Sequence, residues 1–259
     1  MSYALITGAT KGIGKAIAHE LAGRMYNVLL VARSENLLKE LSEELKSKYS
    51  ASCHYLVMDL SQPDASNKIS QWIEKNNFPV SILVNNAGYT IWEEFEKTKW
   101  NDLMDMMQVN LISLTNLTHL IIPVLRKQKQ SYILNVASTS AYQAIPTMSV
   151  YAATKAFVIM FTRGLKMELA KSNISVSCLS PGTTDTDFMN RANMDALKET
   201  AAKFNMKPEV VARIAVEGML KGQAEIIPGF VNWISSKMTS LLPKSVAENI
   251  AKKIYTGKK

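Results

Sequence analysis

A short apolar strand at the amino terminus runs directly into a glycine loop, and the loop into a helix, an order typical of the strand–helix units of α/β folds. Ala4-Leu-Ile-Thr7 predicts the strand, and residues 13 to about 24 have helical periodicity. The loop between them carries Gly8, Gly12 and Gly14. Glycines here let the backbone approach a pyrophosphate at the start of a helix, which predicts a dinucleotide site. A plain structural turn is the alternative.

Strands and helices continue to alternate as far as about residue 227. Apolar runs predict further strands at residues 27–33, 54–60, 81–88, 131–138, 174–180 and 224–227. Helical patterns lie between them, at residues 34–49, 63–74, 100–127, 149–171 and 208–221. We therefore predict an α/β fold: a Rossmann-type doubly wound parallel sheet of about seven strands with helices on both faces. No repeat or linker divides the 259 residues, so residues 1–259 are predicted to form a single domain.

Composition excludes several classes of protein. Hydrophobic residues make up 47% of the chain and charged residues 20%, as in a soluble globular protein. No apolar run approaches the roughly eighteen residues of a membrane span, and no signal peptide follows Met1, so we expect a cytoplasmic protein without an integral membrane segment. Cys53 and Cys178 lie in apolar runs and predict reduced core residues. No metal site is expected, because the three histidines show no ligand spacing.

Positive charge is concentrated at the carboxyl terminus. The net charge is +8, and the stretch from Lys237 to Lys259 has six lysines against one acid, Glu248, which accounts for five of the eight charges. With no nucleic-acid-binding motif present, nucleic acid is not an expected partner. Residues 230–259 predict a basic amphipathic extension. It either contacts an anionic membrane, covers the substrate pocket, or forms a subunit contact.

Tyr151 and Lys155 are spaced so that they share one face of a helix. Hydride reduction of a carbonyl leaves an alkoxide that must be protonated, and an isolated tyrosine, with a pKa of about 10, is a reluctant acid. A neighbouring ammonium favours the phenolate, and a hydroxyl such as that of Ser138 can stabilise the oxyanion. The pair therefore predicts a proton donor. The alternative is an ordinary pair on a helix surface.

Arg33 ends the second predicted strand, where folds that prefer NAD usually place an acid on the ribose. An arginine there can accept the 2′-phosphate of NADP, and Lys11 in the glycine loop adds a second cation. The prediction is NADP, with NADPH preferred over NADH. The alternative is that both are solvated surface cations.

Further along the chain, residues 183–207 predict a substrate loop or lid. Asn110 is an interior polar residue in an apolar helix, which is typical of a satisfied core amide. The apolar second faces of the helices at 100–127 and 149–171 predict a homodimer or homotetramer.

Together these motifs resemble the short-chain dehydrogenase/reductase family over nearly all of residues 3–230. The resemblance rests on the glycine loop, Asp59, Asn85-Asn86-Ala87-Gly88, Asn110, Ser138, Tyr151, Lys155 and Pro181-Gly182, which stand in the family's order and approximate spacing. The resemblance implies four catalytic residues: Asn110, Ser138, Tyr151 and Lys155. It implies cofactor-binding residues at Thr7, Gly8, Thr10, Lys11, Gly12, Ile13, Gly14, Arg33, Asp59, Leu60, Asn86, Ala87, Gly88, Tyr151, Lys155, Pro181, Gly182, Thr184 and Thr186.

Several individual roles are implied by the same resemblance. Asp59 and Leu60 lie by the adenine, residues 86–88 by the adenosine ribose, and Lys155 on the nicotinamide ribose. Thr184 and Thr186 fix the carboxamide, and Asn110 helps to hold a water that joins Lys155 to solvent.

The implied activity is NADPH-dependent reduction of a carbonyl to an alcohol, or the reverse reaction. The substrate is a 3-oxoacyl, steroid-like or other small carbonyl compound, although the amino-terminal membrane anchor of some lipid-reducing relatives is not expected here. A non-catalytic NADP-binding redox sensor or scaffold protein is the alternative function.

Overall fold

The computed structural model describes residues 1–185, 205–241, 245–246, 248–249 and 251–252. Within this part of the chain seven parallel strands form one sheet, in the order β3-β2-β1-β4-β5-β6-β7. The strands are β1 (Tyr3–Thr7), β2 (Asn27–Ala32), β3 (Cys53–Val57), β4 (Val80–Asn85), β5 (Ser131–Val136), β6 (Ile174–Leu179) and β7 (Glu225–Ile226).

Helices cover both faces of the sheet. They are α1 (Gly12–Gly23), α2 (Glu35–Tyr49), α3 (Ala65–Lys75), α4 (Trp100–Met107), α5 (Leu114–Leu125), α6 (Ser149–Glu168), α7 (Pro208–Leu220) and α8 (Phe230–Leu241). One core cluster joins α1, α2 and α7 to one face, and a second joins α3, α5 and α6 to the other. Leu5 packs in the second cluster and Ile6 in the first, so β1 is apolar on both sides. The predicted doubly wound sheet is confirmed.

The strand order creates a crevice beside β1. This strand pairs with β2 on one side and β4 on the other. The chain moves outward from β1 to β3, crosses back to β4, and then moves outward to β7. The connections that follow β1 and β4 leave the carboxyl ends of these strands in opposite directions. The crevice between them is the place where sheets of this type bind ligands.

Two strands end about three residues earlier than the sequence predicts. β3 stops at Val57 and β4 at Asn85. Asp59, Asn86 and Gly88 therefore lie in loops at the carboxyl edge and not within strands. Because these residues are not held by strand pairing, they can face a ligand at the carboxyl edge of the sheet.

The predicted helix over residues 100–127 is interrupted. A π-helical turn, Gln108–Ser113, separates α4 from α5. By length and composition alone, Trp100–Leu125 could cross a membrane, but 44% of its most apolar window is buried inside the protein. Leu117 and Ile121 of this stretch belong to the core against the sheet, so here it serves as a core helix.

Parts of two predicted segments lie outside the described residues: 186–204 of the lid, with Thr186, and 242–244, 247, 250 and 253–259 of the tail. The two ends of the lid are described. The Asp185 amide donates to the Met206 carbonyl at 3.0 Å, and the Met206 amide donates to the Thr183 carbonyl at 3.1 Å. The two described ends of the lid therefore lie side by side.

Candidate active site

A cleft of about 930 Å³ opens along the carboxyl ends of the strands. Most residues predicted to bind a cofactor or to act in catalysis line it: Gly8, Thr10, Lys11, Gly12, Ile13, Arg33, Asp59, Leu60, Asn86, Ala87, Gly88, Ser138, Tyr151, Lys155, Pro181, Gly182 and Thr184. Thr7, Gly14 and Asn110 support the cleft wall from behind.

The glycine loop is shaped for close approach to a ligand. Gly8 and Gly12 have φ values of +64° and +52°, which favour glycine. A Cβ at Gly14 would lie only 2.3 Å from the Gly8 carbonyl oxygen, so a side chain there would push the loop off the strand. The first turn of α1 has no acidic residue, so the positive end of its dipole faces the cleft uncompensated. These features fit a pyrophosphate.

Thr7 and Asn86 fasten this loop to the turn after β4. The Thr7 hydroxyl donates to the Val84 carbonyl and accepts from the amides of Asn86 and Ala87, both at 3.1 Å. The Asn86 side-chain amide donates to the carbonyls of Thr7 and Gly8, each at 3.0 Å. The two residues therefore fix the floor on which a nucleotide would rest.

Arg33 stands at one end of the cleft, where 57% of its side chain is exposed. Its nearest guanidinium nitrogen is 3.9 Å from a carboxylate oxygen of Asp59, a loose and solvated pairing. A guanidinium held this weakly can turn towards a phosphate.

Tyr151 and Lys155 lie together on α6 at the floor of the cleft. Both are almost fully buried, and the Lys155 ammonium is 5.8 Å from the centre of the Tyr151 ring. The ammonium donates to the Val136 carbonyl, at the end of β5, at 2.9 Å. Burial lowers the pKa of Lys155 from 10.5 to about 8. The structure therefore places a poorly solvated cation next to a phenol.

Asn110 lies in the π-helical turn and is fully buried. Its side chain accepts from the Tyr89 amide at 3.1 Å and donates to the Tyr89 carbonyl at 3.0 Å. It also donates to the Thr154 hydroxyl at 3.2 Å, and Thr154 donates to the Tyr151 carbonyl at 2.7 Å. The satisfied-amide interpretation fits this geometry. The amide also links the loop after β4 to the helix that carries Tyr151.

Gly88 keeps space open between the two polar groups behind the cleft. A Cβ at this position would lie 3.1 Å from the side-chain amide oxygen of Asn110 and 3.2 Å from the Lys155 ammonium nitrogen. A side chain there would therefore require both groups to shift by a few tenths of an ångström.

Ser138 lies just beyond β5 and caps a short 3₁₀ turn, Thr139–Tyr142. Its hydroxyl oxygen accepts from the Ser140 amide at 3.2 Å. Because that bond uses a lone pair, the hydroxyl hydrogen can be offered to a substrate oxygen.

The turn after β6 completes the cleft. The Thr184 hydroxyl donates to the Gly182 carbonyl at 3.2 Å. A Cβ on Gly182 would lie 2.4 Å from the side chain of Asn232, so α8 packs tightly against this turn. Sequence reasoning missed Asn232, since nothing in the local pattern ties residue 232 to residue 182.

Sequence reasoning also missed part of the wall around the tyrosine. Tyr89 and Met148 line the cleft and pack in one cluster with Tyr151. Each is adjacent to a predicted feature, since Tyr89 follows the glycine turn and Met148 immediately precedes α6. That adjacency is the signal that could have identified them.

Comparison with known proteins agrees with this geometry. The short chain dehydrogenase family model matches residues 2–197. Hydroxysteroid dehydrogenase-like protein 1 from Gallus gallus is 35% identical over 182 residues, which are 69% of this chain but only 54% of that protein. Very-long-chain 3-oxoacyl-CoA reductase-B from Danio rerio is 34% identical over 248 residues, 93% of this chain and 76% of the relative. This chain thus matches only about half the length of some of these relatives.

Solved structures show the same fold. A short-chain dehydrogenase from Sphingobium yanoikuyae in complex with NADPH has a TM-score of 0.82 and 26% identity, covering 95% of this chain and 98% of its own. A 7beta-hydroxysteroid dehydrogenase has the same TM-score and identity, covering 91% of this chain and 90% of its own. The match to the family model and the likeness to its members lead to one conclusion: the chain belongs to the short-chain dehydrogenase family.

Proposed function

We propose that the protein is an NADPH-dependent oxidoreductase that reduces a carbonyl to an alcohol or catalyses the reverse reaction. The observation that carries the proposal is the buried Lys155 ammonium beside Tyr151. Among the described residues its hydrogen-bond partner is a neutral carbonyl and not a carboxylate. Burying an ammonium without a carboxylate partner destabilises the folded protein, so such a group indicates a functional role for the charge. The test is the loss of NADPH absorbance with a panel of 3-oxoacyl thioesters, steroids, ketones and aldehydes.

The residues divide the chemistry between them. NADPH, when bound, supplies the hydride to the carbonyl carbon. The Tyr151 hydroxyl donates its proton to the carbonyl oxygen as negative charge develops there. Ser138 donates a hydrogen bond to the same oxygen. The Lys155 charge favours the phenolate that remains on Tyr151. Oxidation of an alcohol uses the same groups in the reverse order.

An apolar carbonyl compound is the substrate class that the cleft favours. Tyr89 and Met148 pack in one cluster with Tyr151 and line the cleft, where they form an apolar wall beside the reacting group. The relatives named for 3-oxoacyl-CoA reduction and the solved hydroxysteroid dehydrogenase support the same class. Such substrates expose a carbonyl on a large apolar body, which this wall can bury.

Replacing Arg33 with alanine is expected to raise KM for NADPH about tenfold or more and to change KM for NADH little. The guanidinium is proposed to bind the 2′-phosphate, which NADH lacks. Initial rates with both cofactors measure the effect. Arg126→Ala, an exposed arginine just after α5, is the control and should change neither value. Equal losses with NADPH and NADH would contradict the 2′-phosphate role.

Thr154 is proposed as a positioning residue, because its hydroxyl joins Asn110 to the Tyr151 carbonyl. Thr154→Val keeps the shape and removes both bonds, so kcat should fall about tenfold with a shifted pH profile and little change in KM. Thr154→Ser should restore most of the activity. Thr162→Val is the matched control, since Thr162 lies on the same helix and donates to the Val158 carbonyl. A loss of stability alone, with an unchanged pH profile, would reduce Thr154 to a packing role.

We also propose a homo-oligomer that pairs through α6. Phe157, Met160 and Met167 recur on one side of this helix and are 43%, 70% and 80% exposed. A second copy would bury this stripe by a symmetric contact. Sedimentation equilibrium at micromolar concentration should show a dimer or tetramer, and Phe157→Glu with Met160→Glu should yield monomers. Phe95→Glu, on an exposed turn, is the control. A wild-type monomer would contradict the proposal.

The redox sensor or scaffold is the alternative. It predicts NADPH binding without turnover of any substrate in the panel. The Tyr151, Lys155 and Ser138 set favours the enzyme, because a protein that only binds the cofactor has no use for a proton donor.

A further inference from the structure

Helix α8 is attached to the protein by its polar side. Asn232 packs against Gly182, and Ser236, one turn later, is 3% exposed. The Lys237 ammonium is 3.5 Å from one carboxylate oxygen of Glu225, whose other oxygen accepts from the Tyr142 hydroxyl at 2.7 Å. Asn232 and Ser236 show which side of the helix faces the protein. Lys237 lies seven residues after Phe230, on the opposite side of the helix from these two residues, and reaches Glu225 with its long side chain.

The apolar side of α8 faces outward. Phe230, Val231, Trp233 and Met238 are 74%, 57%, 48% and 52% exposed. The Phe230 and Trp233 rings stack on one another with centres 6.3 Å apart. A helix that only completes a globular core has the opposite arrangement, with its apolar stripe turned inward. This orientation disfavours the interpretation of the tail as a plain cover over the pocket.

The charge of the carboxyl-terminal stretch that begins with α8 identifies the surface that this helix fits. Residues 230–259 contain six lysines and one acid, Glu248, a net charge of +5. Two copies of such a segment repel each other, whereas a surface rich in anionic lipid attracts them. Phenylalanine and tryptophan on the outward face of a helix, within a stretch of chain that is rich in lysine, are typical of segments that lie in the interfacial region of a bilayer.

The position of α8 connects this surface to the cleft. Gly182, which Asn232 contacts, is one of the residues lining the cleft. A bilayer in contact with the outward face of α8 would therefore lie near the rim of the cleft, where an apolar substrate could enter from lipid.

We propose that the outward face of α8, formed by Phe230, Val231, Trp233 and Met238, docks on a bilayer that contains anionic lipid. The inference goes beyond the proposed activity, because it concerns a binding surface outside the catalytic groups. Turnover of a water-soluble carbonyl, measured without vesicles, tests the activity separately, so failure of either proposal can be recognised.

The experiment is co-sedimentation of the full chain with two kinds of vesicle: phosphatidylcholine alone, and phosphatidylcholine with phosphatidylserine. We expect at least about tenfold tighter partitioning onto the anionic vesicles, weakened by added salt. Phe230→Ser with Trp233→Ser should reduce that partitioning by about tenfold or more. In the wild type, Trp233 emission should shift to the blue on binding, and Trp233→Phe should abolish most of the shift.

A matched control removes the same residue types elsewhere. Phe95→Ser with Trp100→Ser deletes a phenylalanine and a tryptophan that are 60% and 63% exposed, and it should leave partitioning unchanged. Val231→Ser with Met238→Ser provides a second test of α8, with thermal unfolding as the check on folding. The proposal is wrong if wild type stays in solution with anionic vesicles, or if both α8 variants bind as wild type does. It is also wrong if the α8 variants change only the sedimenting mass, since the face would then join copies of the chain.

Discussion

Replacing Tyr151 with phenylalanine is expected to lower kcat by about a thousandfold while the Kd for NADPH changes by less than about threefold. The substitution removes only the hydroxyl. The ring keeps its packing with Leu103 and Met148, and Lys155 keeps its bond to the Val136 carbonyl. Hydride transfer then lacks its proton donor, because water in the cleft is a far weaker acid. Single-turnover absorbance measures the chemical step, and quenching of protein fluorescence measures cofactor binding.

Tyr132→Phe is the control for this experiment. Tyr132 lies on β5 and packs against the core on the α1 side of the sheet, away from the cleft. It should retain wild-type turnover. If Tyr151→Phe keeps more than about a tenth of the wild-type rate, the assignment of Tyr151 as general acid is wrong.

The fold was predictable because its signals are local and repeated. Each strand is a short apolar run, and a segment with the 3.6-residue periodicity of a helix separates it from the next strand. A chain of this pattern has few parallel-sheet topologies open to it, since crossovers are right-handed and connections do not cross. The family assignment, predicted from motif order, is confirmed by the match over residues 2–197. The single-domain boundary and the cytoplasmic location stay predictions.

The supporting contacts of the site were not predictable, because they join residues distant in sequence. Asn86 bonds to Thr7 and Gly8, and Asn110 bonds to Tyr89 and Thr154. The π-helical turn is also invisible to periodicity: its extra residue rotates the following residues by about 100°, but this stretch is apolar on more than one face, so the pattern shows no break. Motif spacing therefore located the groups at the cleft, but only the structure shows what holds them there.

The orientation of α8 shows a different limit. Its sequence is amphipathic, and the pattern does not say which side meets the protein. Asn232 faces inward because Gly182 leaves room for its amide, and Ser236, one turn later, is buried on the same side. The choice is made by tertiary contacts and not by the hydrophobicity of the helix.

Replacing Lys155 with methionine is expected to lower kcat by about a hundredfold or more, to weaken NADPH binding, and yet to stabilise the protein without cofactor. Activity falls because Tyr151 loses the charge that favours its phenolate. Stability rises because methionine fills a similar volume without burying an ammonium, a gain partly offset by the lost bond to the Val136 carbonyl.

The stabilisation should depend on pH in a defined direction. Burial lowers the pKa of Lys155 from 10.5 to about 8, so the folded protein releases this proton more readily than the unfolded chain. Below pH 8 both states hold the proton and the folded state bears the full cost of the buried charge. Between pH 8 and 10.5 the unfolded state binds more protons, so wild-type stability rises relative to the variant. The advantage of methionine should shrink by about 3 kcal/mol across this range.

Urea unfolding of both proteins without cofactor, at pH 7 and at pH 10.5, measures this difference. Lys166→Met is the matched control: Lys166 lies on the same helix, donates to the Gly222 carbonyl at 3.0 Å, and does not line the cleft. It should leave turnover intact. A Lys155→Met protein whose stability relative to wild type is the same at both pH values would show that the ammonium is solvated in the free protein. The proposal that Lys155 is a buried cation next to Tyr151, on which the proposed chemistry depends, would then be wrong.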